Sequence, residues 1–239
     1  ILRAAHIPFY DDPREAISLI AKIYRYFKKA NLTAKVINYQ KTVSDRKLSE
    51  QELIEHYSLP MAEYIEVNND AEVMGHLEEI DFPVVYKAAR VKSRGKRGKV
   101  GLSIDDQSSL ERAIRAIGFP GILQKMIDSP VEIIIGGRRD PKFGLTLLFG
   151  QGGIFAEEQN DVNFRIFPLT DNDLDEMIEE TRIWKVLRKM AAKSAIKEVI
   201  LKVAKLMIEN ENVKELELNP LKVQPGKVTA VDIHIERKG

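Results

Sequence analysis

The sequence has no cysteine, no long apolar run and almost no net charge, and each absence excludes a class of protein. Because none of the 239 residues is Cys, a disulfide scaffold is excluded and a reducing compartment such as the cytoplasm is expected. No apolar run approaches the roughly 20 residues of a membrane-spanning helix, and no signal-peptide pattern is present. With 37 Lys and Arg against 36 Asp and Glu, the overall charge favours neither nucleic acid nor a membrane surface as a partner.

The composition that is present is typical of a globular protein with a sizeable core. Hydrophobic residues make up 44% of the chain and charged residues 31%, and the length suits one large domain or two small ones. Many charges without cysteine also favour a thermophilic source.

The N-terminal quarter predicts one helix followed by a polar stretch. Asp12 is placed to cap the helix, Pro13 fits its first turn and Lys28 suits its C-terminal end. Residues 32–51 are polar and weakly periodic, which indicates a linker or, alternatively, an extended segment docked on the rest of the protein.

After residue 50 short strands and helices alternate irregularly, and several strands follow one another without a helix between them. This order predicts an α+β fold rather than a doubly wound sheet. Capping boxes are predicted at Asn69 with Glu72 and at Ser108 with Glu111, and Gly118 is a predicted helix stop. The predicted helices cover 53–57, 68–80, 108–118, 170–182 and 195–212. The predicted strands cover 82–89, 99–104, 121–127, 131–137, 143–150, 213–223 and 227–236.

The C-terminal strands carry the best defined candidate site. A two-residue turn at Pro225–Gly226 sets a register in which Asn219 faces Asp232. Glu217 lies on the same strand face as Asn219 because the two are spaced by two. A carboxylate and an amide oxygen side by side suit Mg²⁺, which often takes phosphate and water as its other ligands. The alternative is the solvated outer face of a terminal hairpin.

A basic glycine loop follows the strand that ends at Lys87. It places Arg94 and Lys96 around Gly95, where cations neutralise phosphate and backbone N–H groups approach it closely. The alternatives are a solvated hairpin tip and a nucleic-acid site, although no aromatic residue is present for base stacking.

The stretch "FGQGGIFAE" is the third candidate, and it is the weakest by pattern alone. Gly152 and Gly153 lie between apolar residues, but neither the GK[ST] ending of a Walker motif nor GxGxxG is present. A phosphate cradle, a tight turn and a hinge all remain open.

Three segments, in this order, resemble one known family, the NDP-forming acyl-CoA synthetases. The segments are "PVVYKAARVKSRGKRGKVGL", "GGRRDPKFGLTLLFGQGGIFAEEQNDVNFRIFPL" and "ELELNPLKV" with its closing "VTAVDIHI". They are similar to the ATP-grasp module of these enzymes, which include ADP-forming acetyl-CoA synthetase and succinyl-CoA synthetase. The resemblance implies an ATP-grasp fold of two α+β subdomains over 49–123 and 124–239. Residues 1–48 resemble the end of a CoA-ligase domain plus a linker, so the chain would be the C-terminal portion of a longer polypeptide.

The resemblance also implies a role for each candidate residue. Nucleotide phosphates would contact the basic loop and the glycine stretch, adenine would lie against the strand "LQKMI", and the ribose would meet an acid. These nucleotide-binding positions are Lys87, Arg94, Gly95, Lys96, Gln124, Met126, Glu132, Gly152 and Gly153. Asn219 and Asp232 would bind Mg²⁺, and Glu217 would be the catalytic residue facing a phosphohistidine.

The implied activity is that of an acid–CoA ligase (ADP-forming), in which phosphate passes between phosphohistidine and ADP. The chain would be incomplete without its partner, a CoA-ligase domain or subunit that carries the phosphohistidine. It would therefore work within a hetero- or homo-oligomer, with no nucleic acid or membrane partner. ADP-forming acetyl-CoA synthetases carry a relay histidine after the lysine strand, but here Val91–Arg94 contains none and no His lies between 77 and 233. Direct transfer from the partner is thus the expected route, and a non-catalytic nucleotide-binding module is the alternative.

Overall fold

The computed structural model of the protein describes residues 12–14, 17, 20–21, 36–37, 48–77, 81–89, 100–153 and 161–238. Of the predicted N-terminal helix, residues 13, 14, 17, 20 and 21 are helical. Three residues of the predicted phosphate-binding set, Arg94, Gly95 and Lys96, lie outside the described residues.

Helices and short strands follow one another much as the sequence predicts. The helices are α1 (Glu50–His56), α2 (Asp70–His76), α3 (Gln107–Ile117), α4 (Asp171–Glu179), α5 (Trp184–Leu187) and α6 (Lys193–Glu209). The strands are β1 (Val36–Ile37), β2 (Tyr64–Val67), β3 (Val84–Ala88), β4 (Val100–Ile104), β5 (Gly121–Lys125), β6 (Glu132–Asp140), β7 (Gly144–Gln151), β8 (Val162–Ile166), β9 (Leu169–Thr170), β10 (Val213–Gln224), β11 (Lys227–Ala230) and β12 (Ile233–Arg237).

The strands form a large sheet, a small sheet and one isolated pair. The large sheet has the order β11-β10-β6-β7-β8, and β12 also pairs with β10. The small sheet has the order β2-β5-β3-β4. In the isolated pair, β1 lies antiparallel to β9, so two residues of the predicted linker take the docked arrangement. The mixture of helices with antiparallel sheets confirms the predicted α+β class.

One face of the large sheet packs against helices, and this asymmetry positions the site. Side chains alternate between the two faces of a strand, so Ile133 and Ile135 point into the core while Glu132 points to the opposite face. Helix α6 lies so close to the inner face that a Cβ on Gly137 would be 3.1 Å from the Met207 side chain. Side chains of the large sheet that a ligand could reach therefore lie on the outer face.

The small sheet has its own core, built with α3. Buried Tyr86 lies across this core, and its hydroxyl donates a hydrogen bond to the Gly118 carbonyl at 3.0 Å. A Cβ on Gly121 would be 2.0 Å from the Tyr86 hydroxyl oxygen, so glycine is needed for the ring to lie against β5.

Several local predictions are confirmed and others are wrong. Asn69 caps α2 as predicted, but the reciprocal half of its capping box does not form, because the Glu72 carboxylate accepts from the Asn68 N–H at 2.8 Å. Gly118 ends α3 with φ of 85°. The predicted Ser108 capping box is wrong because α3 begins earlier, where the Asp106 carboxylate accepts a hydrogen bond from the Ser109 N–H at 2.7 Å. Strand β8 was not predicted, because its alternation places Phe164 on an exposed face where polar residues are usual.

Each of the two sheets has its own core, and the residues of the larger core come from separate parts of the chain. Strand β5 crosses the predicted division at 123/124 and belongs wholly to the small sheet. Leu53 and Leu59 lie before the small sheet in the chain but pack in the core of the large one. The subdomain limits therefore stay a prediction.

Within the described ranges, no helix is long and apolar enough to cross a membrane.

Tyr57 ties the end of α1 to the end of α6, and this contact makes stability depend on pH. Its hydroxyl donates to Glu209 Oε2 at 2.9 Å and accepts from Asn210 Nδ2 at 2.8 Å. Burial, followed by the hydrogen bond to Glu209, raises the pKa of Tyr57 to about 12. Because an unfolded tyrosine titrates near pH 10, this contribution to stability is complete below pH 10 and is lost as the pH rises toward 12.

We expect Tyr57→Phe to lower the free energy of unfolding by about 1–2 kcal/mol at pH 8. The difference from the wild-type protein should shrink between about pH 10 and pH 12, as measured by urea unfolding at each pH. Tyr64→Phe, which removes an exposed hydroxyl, is the control and should change stability by less than about 0.5 kcal/mol. A deficit for Tyr57→Phe that persists unchanged to pH 12 would contradict the assignment.

Candidate functional site

The C-terminal hairpin has the register that its two-residue turn predicts. Glu217 on β10 pairs with His234 on β12. The Asn219 N–H donates a hydrogen bond to the Asp232 carbonyl at 3.3 Å. The predicted neighbours, Asn219 and Asp232, are thus brought together at the junction of β11 and β12.

A bulge at Asn219–Pro220 affects only the other side of β10. The pairing of β10 with β6 shifts between Leu218 and Leu221, while the pairing with β11 and β12 continues without a shift at that point. The bulge changes which side chains share a face. In a regular strand Asn219 and Lys222 would point to opposite faces, but here both lie on the outer face.

The Asn219 side chain connects three parts of the chain. Its Oδ1 accepts a hydrogen bond from the Gly153 N–H at 3.2 Å. Its Nδ2 donates to Glu217 Oε1 at 3.0 Å. One amide therefore fixes the glycine stretch and the predicted catalytic carboxylate relative to each other.

The glycine stretch is a place of close approach between strands and side chains. The Gly152 N–H donates to the Glu132 carbonyl at 2.9 Å, and a Cβ on Gly152 would be 2.4 Å from the Ile133 carbonyl oxygen. Gly153 has φ of 79°, and its Cβ would be 1.8 Å from Glu132 Oε2. Gly152 therefore needs glycine because a Cβ would clash with the backbone of β6, and Gly153 favours glycine because of its left-handed φ, with the Glu132 carboxylate close to where a Cβ would lie.

Lys222 holds Glu132 in that position, although the sequence analysis did not predict Lys222 as a site residue. Lys222 Nζ lies 2.7 Å from Glu132 Oε1 and donates to the Ser129 carbonyl at 3.1 Å. Lys222 follows Asn219 by three residues, a spacing that places two side chains on opposite faces of a regular strand. Only the bulge brings both residues to one face.

Lys87 reaches the site from the small sheet. Its Nζ donates to the Val231 carbonyl at 2.7 Å and lies 3.7 Å from Asp232 Oδ1. Burial lowers the pKa of the Lys87 ammonium, and the Asp232 carboxylate opposes that shift. Ala62 N–H also donates to the Ala230 carbonyl at 2.8 Å, so the two sheets meet along the start of the Asp232 segment.

Two predicted adenine-binding residues take different positions. Gln124 is buried, and its Nε2 lies 3.5 Å from the Ala62 carbonyl, beside the line where the sheets meet. Met126 follows the end of β5, and its N–H donates to the Pro83 carbonyl at 3.1 Å. Neither side chain is hydrogen-bonded to Asn219, Glu217 or Gly153, so the nucleotide roles of Gln124 and Met126 stay predictions.

Arg138 and Arg139 are adjacent on β6 and point to opposite faces of the large sheet. Arg139 points to the helical face, where it donates to the carbonyls of Val213, Met207 and Asn210, and burial lowers its pKa. Arg138 points to the outer face, where its Nε lies 3.9 Å from Glu215 Oε2. Arg139 is thus structural, since it satisfies the carbonyls at the end of α6 and the start of β10.

Asn219 and Asp232 are chemically suited to Mg²⁺ but supply few ligands. In the part of the chain that the structure describes, no group of three or more His, Cys, Asp or Glu side chains is arranged to hold a metal. The Asp232 side chain is 66% exposed. One carboxylate and one amide oxygen fit an ion that takes its remaining ligands from phosphate and water.

We expect Gly153→Ala to lower the free energy of unfolding by about 2–3 kcal/mol, from left-handed backbone strain of roughly 1–2 kcal/mol plus displacement of Glu132 from Lys222. Gly144→Ala is the matched control, since Gly144 has φ of 76° with no atom within 4 Å of its Cβ. Gly144→Ala should lose only the part of the free energy of unfolding that comes from left-handed backbone strain, roughly 1–2 kcal/mol. Urea unfolding of both variants measures the difference, and equal losses would mean that the Glu132 contact is not tight.

Comparison with known proteins places this chain in a family. The ATP-grasp domain family matches residues 38–236. An ADP-forming acetate–CoA ligase I of Archaeoglobus fulgidus is 31% identical over 98% of this chain and 39% of its own length. The chain therefore spans about two fifths of that relative. The β subunit of acetate–CoA ligase I of Pyrococcus furiosus is 30% identical over 76% of this chain and 87% of its own length.

Solved structures agree with the sequence relatives. An acetyl-coenzyme A synthetase 1 of Ca. Korarchaeum cryptofilum, in complex with coenzyme A and Mg-AMPPCP, has 30% identity and a TM-score of 0.65. The match covers 80% of this chain and 92% of that one, whose phosphohistidine segment points towards the nucleotide binding site. This chain belongs to the ATP-grasp domain family, and within that family it is homologous to the β subunit, or the matching portion, of ADP-forming acetate–CoA ligases.

Proposed function

We propose that the chain is the nucleotide-binding half of an NDP-forming acyl-CoA synthetase. In the proposed reaction, phosphate passes between a phosphohistidine of a partner CoA-ligase domain or subunit and ADP. Acyl-CoA, ADP and phosphate are thereby converted reversibly to acid, CoA and ATP. The observation that carries the proposal is the convergence of Glu217, Asn219, Asp232 and Lys87 at the line where the two sheets meet.

The residues of this site suit phosphoryl transfer, which depends on positioning and on charge neutralisation. Lys87 would contact the phosphates, together with Arg94, Gly95 and Lys96 of the basic loop. Gly152 and Gly153 would form the floor beside them, where the lack of side chains permits close approach.

The remaining residues would orient the nucleotide and the incoming histidine. Gln124 and Met126 would lie along the adenine, and Glu132, held by Lys222 at 2.7 Å, would reach the ribose. Glu217, held by Asn219, would face the phosphohistidine and orient its imidazole by accepting a hydrogen bond.

Asn219 and Asp232 would hold Mg²⁺ through one amide oxygen and one carboxylate. When bound, the ion supplies positive charge that neutralises the phosphate oxygens. Asn219 would then serve two purposes, since its Nδ2 already positions Glu217.

A non-catalytic nucleotide-binding module is the second candidate. The sequence favours it at one point, because no histidine lies between residues 77 and 233 to act as a relay within this chain. The two candidates share nucleotide binding and differ in phosphate exchange. Incorporation of labelled phosphate from ATP into a CoA-ligase partner would exclude the second candidate.

We expect Mg²⁺ to strengthen ADP binding to the wild-type chain at least about tenfold, or about 1.4 kcal/mol. In the double variant Asn219→Ala/Asp232→Ala the affinity should be the same with and without Mg²⁺, because both proposed protein ligands are gone. Isothermal titration calorimetry with ADP, in Mg²⁺ and in EDTA, measures both affinities.

The matched control is Asp171→Ala/Asn172→Ala. It also removes one Asp and one Asn side chain, but from the first turn of α4, on the helical face of the large sheet. It should keep the Mg²⁺ dependence of the wild-type chain. If Asn219→Ala/Asp232→Ala retains that dependence, the metal assignment is wrong. If the wild-type chain binds no ADP in either buffer, the proposed nucleotide site is wrong.

A further inference from the structure

A hollow of about 550 Å³ lies on the outer face of the large sheet, next to Glu217. Its walls include Phe143, Leu148, Phe164 and Ile166. Three of these side chains are strongly exposed, at 62% for Phe143, 58% for Phe164 and 50% for Ile166. Clustered exposed apolar side chains of this kind mark interaction sites, whereas isolated ones are ordinary.

The exposed side chains come from the strand pattern itself. Phe164 and Ile166 are two residues apart on β8, so they share the outer face, and Leu148 pairs with Phe164 from β7. Edge strands in soluble proteins usually carry polar or charged residues outward. An outward Phe and Ile on β8 are therefore unusual unless another surface covers them.

The hollow lies on a defined side of Glu217. Along β10, Asn219 lies on one side of Glu217, toward the proposed metal site. Glu215 lies on the other side of Glu217 and lines the hollow. Gly136 pairs with Glu217 and also lines the hollow. The hollow runs from there to the turn at Phe143, about 13 Å of strand at 3.3 Å per residue.

The other side of the site is already closed by the small sheet. Lys87 contacts the Val231 carbonyl, and the Ala62 N–H donates to the Ala230 carbonyl. Among the residues that the structure describes, the hollow lines the Glu215 side of Glu217, and a polypeptide that brings a phosphohistidine to Glu217 can approach from that side. That approach passes over the hollow.

We propose that this hollow is the docking surface for the partner segment that carries the phosphohistidine. The inference rests on the proposed function. The segment would place apolar residues flanking its histidine against Phe143, Phe164 and Ile166, and Arg138 with Glu215 would offer it one charge of each sign at the rim. Docking there holds the imidazole beside Glu217, on the side of that carboxylate opposite Asn219.

The test uses the complete synthetase, with this chain and its CoA-ligase partner present together. The double variant Phe164→Thr/Ile166→Thr removes the apolar contact and places threonine, which is β-branched and suits a strand, at both positions of β8. We expect phosphoryl transfer from γ-labelled ATP to the partner histidine to slow at least about tenfold in single turnover, while the affinity for Mg-ADP stays within about twofold. The matched control Val186→Thr changes an exposed apolar residue on α5 and should leave transfer unchanged.

A photocrosslink gives a second readout that does not depend on rate. Phe164→p-benzoylphenylalanine should crosslink to the partner peptide that contains the phosphorylated histidine, and the same substitution at Val186 should not. Unchanged transfer in the double variant, or crosslinks only to other peptides, would overturn the docking surface while leaving the proposed function intact. Absence of transfer in the wild-type synthetase would instead overturn the proposed function, and this inference with it.

Discussion

The site depends on the side-chain amide of Asn219 and on the bulge that surrounds it. One amide group accepts from Gly153 at 3.2 Å and donates to Glu217 at 3.0 Å. The bulge brings Lys222 to the same face, and Lys222 fixes Glu132 against Gly153. The glycine stretch and the carboxylates of Glu217 and Glu132 are thus held in one hydrogen-bonded arrangement rather than by separate loops.

The large sheet divides structure from function by its two faces. Ile133 and Ile135 bury themselves against helices, and on the same face Arg139 satisfies carbonyls at the end of α6. The opposite face carries every site residue of the large sheet and the hollow beside Glu217. A strand can serve both tasks because its side chains alternate, and Arg138 and Arg139 show the division within two adjacent residues.

The small sheet completes the site through contacts that are remote in sequence. Lys87 meets Val231 and Asp232, and Ala62 meets Ala230. These contacts set the position of the Lys87 ammonium relative to Asp232 and close one side of the site. In the part of the chain that the structure describes, the opposite side of Glu217 leads to the apolar hollow.

The sequence by itself determined the α+β class, the caps at Asn69 and Gly118 and the register of the C-terminal hairpin. It did so because turns, caps and strand alternation are local and depend on a few neighbouring residues. The juxtaposition of Asn219 with Asp232 followed from that register alone.

The tertiary structure decided what depends on distant neighbours. No local pattern reveals that Gly153 must make room for Glu132, or that Lys222 shares a face with Asn219, because a bulge and a cross-strand contact set both. Competition between nearby caps decided that Asp106 rather than Ser108 caps α3. The hollow arose in the same way, since Phe164 resembles a core residue until the sheet places it on an exposed edge. Burial is a property of the assembled sheet and cannot be read from one strand.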